Sequence, residues 1–554
     1  MSKQISFFQR KTHRLFSFLT ISMLPFSIFA QSANIEAKNT FEHTCFDIQH
    51  YDLSVKIDLE KRTISGVNKI SFDVLKNTSR IQLELQQVMT LDSILLKGKK
   101  LDFSSENTSF FVYFPNELTT DSKETIAVYY HGTPIVAKNA PWDGGFVFSK
   151  DAAGNPFIGV ACQGLGASSW WPTKEFLSDR ATADLHFEVP SELQAISNGQ
   201  FLGKTEKGKT AVWNWKVTYP ISNYDVSVTI GKFAHFSDTF KSKLGSYPID
   251  YYVLTENLEK AKKQFQQVKP MLKAYEYYFG QYPFARDGFK LVEAPYLGME
   301  HQSAVAYGNH YLQGYAGRFF APISEKFDFI IIHESGHEYW GNSVAMSDLS
   351  DMWINEGFCT YSELLYVEKV FGKKYTEDYA NYWTTVISNK EPIVNERYSN
   401  REPSGDIYYK GALLLKTLRS SIHNDRVFFA CLKAIQQHFA HQTVSTEEMV
   451  DFMCQQLQAH SSVDLRKIFD QFLHRANPPM LNYRLVPSGK KNEYVFKYKW
   501  DMVVDGFSMP FSVKIGKKRY EFKATTEWQS ITLKSKKSPE LDFLKDFYFL
   551  LVLE

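Results

Sequence analysis

Apolar and polar residues alternate along the chain from residue 34 to residue 235. The segment HYDLSVKIDLEKRTISGVNKISFDVL alternates on both sides of a short charged turn, which predicts an antiparallel hairpin. Later segments such as SRIQLELQQV and ADLHFEVP repeat this two-residue period. We therefore expect an N-terminal antiparallel β domain with one solvated face.

Apolar residues recur at helical intervals from residue 236 to residue 477. ENLEKAKKQFQQVKPMLKAYEYYFG ends in glycine and contains a proline that should kink or interrupt the helix. A second helix, SEKFDFIIIHESGHEYWGN, is predicted to start at the cap residue Ser324 and to stop at Gly341 and Asn342. With strand-like FKLVEA, this region predicts a mostly helical domain with a small sheet.

The two-residue alternation returns from residue 478 to residue 554, in EYVFKYKW, FSVKIGKKRYEF and QSITLK. The closing FYFLLVL is far too short to span a bilayer and is predicted to be a final strand. These segments indicate a small C-terminal β-sandwich-like module. The predicted fold class is α+β with several domains.

The first thirty residues have a different pattern. Basic residues precede the apolar run LFSFLTISMLPFSIFA, which ends at Ala30, and this order is typical of a secretory signal peptide. The alternative, a retained membrane anchor, needs about 20 unbroken apolar residues. This run is shorter and contains Pro25. We expect residues 1–30 to be removed, leaving a periplasmic or extracellular protein with no stable membrane anchor.

Composition narrows the possible partners. The 554 residues include 63 Lys and Arg against 61 Asp and Glu, and a formal charge of +2 gives no general attraction to nucleic acid. The five cysteines are widely scattered and form neither a metal-type pairing nor a disulfide framework. Buried thiols are the expected state of most of them, with at most two disulfides: Cys45, Cys162, Cys359, Cys431 and Cys454.

Two histidines four residues apart occur in IIHESGHEYWGN. On a helix His333 and His337 point to a common centre, with Glu334 beside it. Two imidazoles and a neighbouring carboxylate suit a zinc ion with the glutamate as general base. A hydrogen-bonded pair of core histidines is the alternative reading.

A third candidate ligand favours the metal. Glu356 follows His337 after residues 338–355 and lies at the head of another helix-like stretch, WINEGFCTYSELL. A shell of two histidines and one glutamate leaves a fourth position for water, as a catalytic zinc site requires. The residues alone therefore predict a zinc hydrolase with one zinc ion per chain.

These motifs resemble the M1 family of zinc aminopeptidases, which are gluzincins. HESGH, the gap that follows it and WINEGF match the family's zinc motif, YLGMEHQ resembles its G-x-M-E-N motif, and IYYKGALLL resembles its Y-E-K-G motif. The order of a β domain, a thermolysin-like catalytic domain and a β module also resembles the family plan. The resemblance implies a peptide substrate with a free N-terminus.

The resemblance also assigns substrate-binding residues. Glu300 and Gln163 would bind the free α-amine, although Gln163 can also be an ordinary polar loop residue. The backbone of Gly298 and Met299 would pair with the substrate main chain. The Met299 side chain would line the first specificity pocket or pack in the core.

Tyr408 would donate a hydrogen bond to the oxyanion of the tetrahedral intermediate. This assignment rests on its position before Lys410 and Gly411, and Tyr409 next to it is the competing candidate.

The chain departs from the family pattern at several points. Position 301 is His where the family usually has Asn, and position 338 is Glu where it often has Gln. The family's P-x-x-D-x-P segment is present only as WWPTKEFLSD. The sequence given ends after the β module, so a more open cleft is expected than in members with a large C-terminal helical domain.

The favoured function is an exported zinc aminopeptidase. A zinc endopeptidase is one alternative, disfavoured by the G-x-M-E motif that closes one end of the cleft. A catalytically silent binding protein on the same scaffold is another, although such a protein would be expected to lack the base or a ligand. The oligomeric state and the preferred N-terminal residue stay open.

Overall fold

The computed structural model describes residues 40–399 and 401–554. The predicted signal peptide lies outside the described residues. Within them, no helix is long and apolar enough to cross a membrane.

The N-terminal region is built from strands, as the alternating pattern predicts. A short helix, α1 (Phe41–Thr44), precedes them. The strands are β1 (Phe46–Asp58), β2 (Thr63–Val74), β3 (Thr78–Glu84), β4 (Met89–Leu96), β5 (Lys99–Glu106), β6 (Ser109–Leu118), β7 (Lys123–Gly132), β8 (Gly145–Lys150), β9 (Pro156–Ala161), β10 (Ala181–Pro190), β11 (Gln194–Ser197), β12 (Gln200–Lys207), β13 (Thr210–Ile221) and β14 (Val228–Gly231).

These strands form two sheets. The larger has ten strands in the order β12-β13-β10-β1-β2-β7-β4-β5-β6-β3, and the smaller has the order β11-β14-β9-β8. β1 and β2 form the predicted antiparallel hairpin, with Asp58 opposite Thr63. β1 and β10, however, pair in parallel. The predicted antiparallel domain therefore also contains a parallel pair, whose strands are far apart in the chain.

The middle of the chain begins with a five-stranded sheet of order β15-β16-β17-β19-β18. Its last strand, β18, consists of two residues that pair with β19 on one side only, and so it forms the edge of the sheet. The strands are β15 (Phe233–Lys241), β16 (Ser246–Leu254), β17 (Phe289–Glu293), β18 (Gly298–Met299) and β19 (Val305–Tyr307).

The helices follow this sheet in the chain or lie between its strands. The predicted helix that contains Pro270 is interrupted at residues 265–267, so it forms two helices, α2 and α3. A two-stranded sheet joins β20 (Val344–Met346) to β21 (Gln442–Val444). The helices are α2 (Leu258–Gln264), α3 (Val268–Phe279), α4 (Phe329–Gly336), α5 (Trp353–Phe371), α6 (Thr376–Val386), α7 (Asp406–Ile422), α8 (Asp425–His438), α9 (Thr446–Leu457) and α10 (Leu465–His474).

The C-terminal strands form two facing sheets, β26-β23-β22-β28 and β25-β24-β27. Phe496 on β23 contacts the rings of Phe511 and Phe543 on the other sheet, with centroids 6.4 Å apart in each case. The strands are β22 (Met480–Pro487), β23 (Glu493–Asp501), β24 (Met509–Ile515), β25 (Lys518–Ala524), β26 (Gln529–Lys534), β27 (Leu541–Phe543) and β28 (Leu550–Leu553).

Candidate metal centre and substrate cleft

His333 lies on α4 and His337 is the C-cap of this helix, whose start differs from the prediction. Asp328, and not Ser324, is the N-cap, because its carboxylate accepts a hydrogen bond from the backbone N–H of Ile330 at 3.0 Å. The Ser324 hydroxyl donates instead to the carbonyl of Ala321 in a separate short helix. α4 is buried along its whole length, so both histidines are withdrawn from bulk solvent.

Each histidine ring is oriented through Nδ1, the ring nitrogen that faces away from the other histidine. Nδ1 of His333 lies 2.8 Å from Oε1 of Glu363, and Nδ1 of His337 lies 2.9 Å from the carbonyl oxygen of Trp340. Both acceptors are oxygens without a proton to give, so each Nδ1 is the donor. Each Nε2 therefore presents its lone pair, the arrangement that fixes metal-binding histidines.

Glu356, at the start of α5, completes a triangle of ligand atoms. The Nε2 atoms of His333 and His337 are 3.3 Å apart. Oε2 of Glu356 lies 3.5 Å from Nε2 of His333 and 3.4 Å from Nε2 of His337. Ligands bound to zinc at about 2.0–2.1 Å in a tetrahedron are about 3.3–3.4 Å apart. Oε2 of Glu356 is buried without a hydrogen-bond partner among the described residues, so the three atoms fit a zinc ion.

The sulfur atom of Cys359 is another candidate metal ligand close to the histidines. Its Sγ lies within 4.8 Å of a ring nitrogen of each histidine. The thiol donates to the backbone carbonyl of His333 at 2.8 Å. We assign the metal to Glu356 rather than Cys359 because the Glu356 oxygen faces both Nε2 lone pairs.

Glu334 is a buried carboxylate beside this triangle, 9% exposed. Burial raises the pKa of its side chain to about 7, against the lowering effect of the nearby histidines. Its position depends on Gly298 on β18, where an added Cβ atom would stand 2.8 Å from Oε1 of Glu334 and 2.7 Å from Ile330. The absence of a side chain at Gly298 lets the edge strand approach the carboxylate.

Glu300 comes two residues after Gly298 and is 4% exposed. Its carboxylate, that of Glu334 and a ring nitrogen of His337 all lie within 4.8 Å of one another. Tyr224 donates to its Oε1 at 3.4 Å. Burial raises the pKa of the Glu300 carboxyl, so a cationic partner would stabilise its charged form.

The surroundings of Met299 and Gln163 bear on their expected roles without testing them. The Met299 side chain is 1% exposed, in agreement with the core-packing alternative. Nε2 of Gln163 donates to Oε1 of Glu356 at 3.3 Å, so this amide contacts a metal ligand. Its predicted contact with the substrate amine stays a prediction.

Tyr408 and Tyr409 face different surroundings on α7. The Tyr408 ring lies 6.1 Å from that of His333, centroid to centroid. The Tyr409 ring instead lies 6.4 Å from Trp383 and 6.3 Å from Tyr382. Burial, and to a smaller extent the charge of Glu356, raises the pKa of Tyr408 well above its ordinary value. The hydroxyl therefore stays protonated and can donate a hydrogen bond.

A pair of glycines brings Glu356 and Tyr408 together. An added Cβ atom at Gly357 would stand 3.0 Å from the Cα of Gly411, and one at Gly411 would stand 3.0 Å from the Cα of Gly357. α5 and α7 therefore touch backbone to backbone at the residues that follow the ligand and the tyrosine. This contact explains why both motifs contain glycine.

The two single-residue departures from the family pattern, at positions 301 and 338, are both buried. His301 is 1% exposed, and burial lowers its pKa to about 3, so its ring is neutral. Glu338 is 0% exposed and accepts hydrogen bonds from the hydroxyl of Tyr282 at 2.5 Å and the backbone N–H of Ser303 at 2.9 Å. Ser303 lies just beyond the Glu300 loop, so Glu338 ties that loop to the metal helix.

Sequence reasoning missed one residue that orients a metal ligand and one that joins segments beside the site. Glu363, which accepts from His333, stands seven residues after Glu356 on α5, and this spacing places both on one helix face. That spacing was a usable signal. Arg180, which donates to Gln302 and to the carbonyl oxygen of Asn342, carried no local signal, because it comes from the N-terminal region.

A zinc site with three protein ligands beside a buried carboxylate is the arrangement of a zinc-dependent hydrolase. Comparison with known proteins agrees. Residues 48–224 match the peptidase M1 N-terminal domain, and residues 263–472 match the peptidase family M1 domain. The chain belongs to peptidase family M1, and the expectation of one catalytic zinc is confirmed by that membership.

The relatives are distant but cover most of the chain. Leukotriene A-4 hydrolase of Xenopus laevis is 23% identical over 74% of this chain and 68% of its own length. Glutamyl aminopeptidase of Sus scrofa and aminopeptidase N of Lactobacillus helveticus are each 22% identical, over 82% and 80% of this chain. The chain spans about half the length of these two, 51% and 52%.

Solved structures share the fold. An M1 zinc metallopeptidase from Deinococcus radiodurans matches with a TM-score of 0.67 at 20% identity, over 78% of this chain and 95% of that one. A mutant of the Deinococcus enzyme bound to a Tyr-Ser-Ala substrate matches with a TM-score of 0.64. The predicted fold class is confirmed by these matches.

Proposed function

We propose that this protein is an aminopeptidase that removes N-terminal residues from peptides. The observation that carries the proposal is the position of Glu300, whose carboxylate lies within 4.8 Å of Glu334 and His337. A buried anion at this distance from the reacting groups suits the α-ammonium group of a peptide whose first peptide bond lies at the metal.

The residues around the site have distinct tasks. His333, His337 and Glu356 would hold zinc, which when bound polarises the scissile carbonyl and acidifies a water molecule. Glu334 accepts the proton of the attacking water and returns it to the leaving amine. Tyr408 donates its hydroxyl to the developing oxyanion.

The edge strand β18 aligns the substrate. Gly298 and Met299 pair with β19 on one side, opposite Tyr307 and Ala306. The other edge can add an extended peptide as a further strand. Because Glu300 follows directly, a peptide bound in this way reaches a carboxylate at its N-terminus.

The two alternatives have less support. An endopeptidase needs a cleft that continues past the metal on both sides, whereas Glu300 is a buried acid at one end. A silent binding protein has no need of a general base, yet Glu334 is present and buried beside the ligand triangle.

Acetylation of the substrate tests the proposal. An acetylated peptide loses the ammonium charge and leaves Glu300 unpaired, at a cost on the order of 2 to 5 kcal/mol. We expect kcat/KM for the acetylated peptide to fall at least about thirtyfold below that of the free peptide. Glu300→Ala should slow cleavage of the free peptide and narrow this difference. Internal cleavage of both peptides at equal rates, followed by mass spectrometry, would identify an endopeptidase instead.

The location of the protein is part of the proposal. The basic, apolar and small-residue order of residues 1–30 supports export to the periplasm or the medium. Peptides in that compartment would be the substrates.

A further inference from the structure

Aromatic side chains continue the line of the metal histidines along α4. Phe329, His333 and His337 are four residues apart and share one face of the helix. The Phe329 ring stacks on the His333 ring, with centroids 5.1 Å apart and an interplanar angle of 15°. Phe329 therefore lies one turn from the metal ligands, on the side opposite the His337 end where Glu300 lies.

Phe329 belongs to a cluster of aromatic rings. Tyr315 and Phe320 meet its ring edge to face, with centroids at 5.4 and 5.9 Å. Phe320 also stacks on Tyr382 of α6 at 4.7 Å, with an interplanar angle of 8°. Phe329 is 8% exposed, whereas the other three rings are half-buried, so part of each ring remains accessible.

Hydrogen bonds anchor the loop that carries Tyr315 and Phe320. Nδ2 of Asn309 donates to the carbonyl of Gly314 at 3.0 Å and to Asp328 at 2.7 Å. Tyr315 and Arg318 exchange backbone hydrogen bonds of 3.0 and 2.9 Å across a two-residue turn. A loop anchored in this way loses less conformational entropy when a ligand binds beside it.

The direction of the substrate follows from the order of groups along α4. If the substrate amine is at Glu300 beside His337 and the scissile carbonyl is at the metal, the next residue must extend past His333 toward Phe329. We propose that these aromatic rings line a pocket for the side chain of the second residue of the peptide and that the enzyme prefers an aromatic side chain there. The inference rests on the proposed aminopeptidase function.

A set of dipeptides tests the pocket. Ala-Phe, Ala-Leu and Ala-Ala share one first residue, so differences in kcat/KM for alanine release report only the second position. An aromatic ring buried against four aromatic rings should raise kcat/KM for Ala-Phe roughly 10- to 100-fold over Ala-Ala. Phe-Ala, with the ring in the first position, separates the two pockets.

Two neighbouring phenylalanines provide the variant and its control. Phe320→Ala removes one wall of the pocket and should bring the ratio of Ala-Phe to Ala-Ala to within about threefold. Phe319 is 50% exposed, and Phe319→Ala should keep the wild-type ratio. Thermal melting and zinc content check that both variants are folded, and Tyr382→Ala serves as a second wall variant if Phe320→Ala is not.

The outcomes separate the inference from the function on which it rests. Equal kcat/KM for Ala-Phe and Ala-Ala in the wild type would overturn the aromatic pocket and leave the aminopeptidase standing. A wild-type preference that survives both wall variants would place the second-residue pocket elsewhere. Failure to release alanine from any dipeptide, with active cleavage of longer blocked peptides, would overturn both.

Discussion

At the scale of single residues, the site works because each metal histidine uses both of its ring nitrogens. Glu363 fixes one ring and the carbonyl of Trp340 fixes the other. The lone pairs converge with the Glu356 oxygen at a point where a bound cation would balance them, so zinc should stabilise this part of the protein.

The role of Glu334 as general base can be tested independently of zinc binding. Glu334→Gln retains a hydrogen-bonding group but cannot take a proton from water, so kcat should fall by about 10² to 10⁴. Elemental analysis should still find one zinc ion per chain. His337→Ala is the matched variant that should lose the zinc. Near wild-type kcat in the Glu334 variant would show that another group is the base.

The two adjacent tyrosines on α7 allow an equally sharp comparison. Tyr408→Phe removes a hydroxyl beside the metal site, and loss of one oxyanion donor should lower kcat by about 10² to 10³. Tyr409→Phe removes a hydroxyl from a ring that packs against Trp383 and should leave kcat within a few-fold of wild type. The reverse result in steady-state kinetics would shift the assignment by one residue.

At the scale of elements, patterns local in the chain were predictable and contacts between distant segments were not. The β1–β2 hairpin follows from alternation around one turn, whereas the β1–β10 pair joins strands more than a hundred residues apart. The start of α4 was misplaced because Ser324 and Asp328 both have capping side chains. Only the folded chain shows that Asp328 reaches the first N–H groups.

The candidate site divides in the same way. Its metal ligands and base form sequence motifs, so His333, Glu334, His337 and Glu356 were found from spacing. The contact of Gln163 with Glu356 depends on how the N-terminal sheets dock, and no spacing in the sequence encodes it. The aromatic loop from Tyr315 to Phe320 carries no motif for the same reason.

The contact between α5 and α7 gives a prediction at this scale. Gly357→Ala places a methyl group 3.0 Å from Gly411 and 3.1 Å from the carbonyl of Ile407, so the helices must separate. We expect a loss of about 1–3 kcal/mol in the free energy of unfolding. We also expect a lower kcat, because Glu356 and Tyr408 move apart.

Gly405 is the control for that variant. It precedes α7, has open space around its Cα, and has a φ of −59° that alanine adopts easily. Gly405→Ala should leave both melting temperature and kcat near wild type. A Gly357→Ala protein as stable and active as the Gly405 control would show that the helices tolerate the separation.

At the scale of the whole molecule, segments that follow the helical region contact the helix that carries Tyr408. Nζ of Lys410 donates to the carbonyls of Arg475 and Ala476 at the end of the helical region. The backbone N–H of Tyr548 donates to the hydroxyl of Thr417 on α7 at 3.2 Å. The site therefore contains residues from the N-terminal region and from the helices. The helix α7, which carries Tyr408, contacts the C-terminal module.

The last prediction concerns where the molecule works. If residues 1–30 direct export, the chain expressed in a Gram-negative bacterium should be found in the periplasmic fraction with a mass that begins at Gln31. Leu19→Arg puts a charge into the apolar run, so it should keep the full-length chain in the cytoplasm. Ser22→Ala keeps the run apolar and should be exported like the wild type. Because five buried free thiols need no oxidation to fold, export should not depend on disulfide formation. A wild-type chain that keeps Met1 and stays in the cytoplasm, by intact mass of each fraction, would refute export and move the substrates to intracellular peptides.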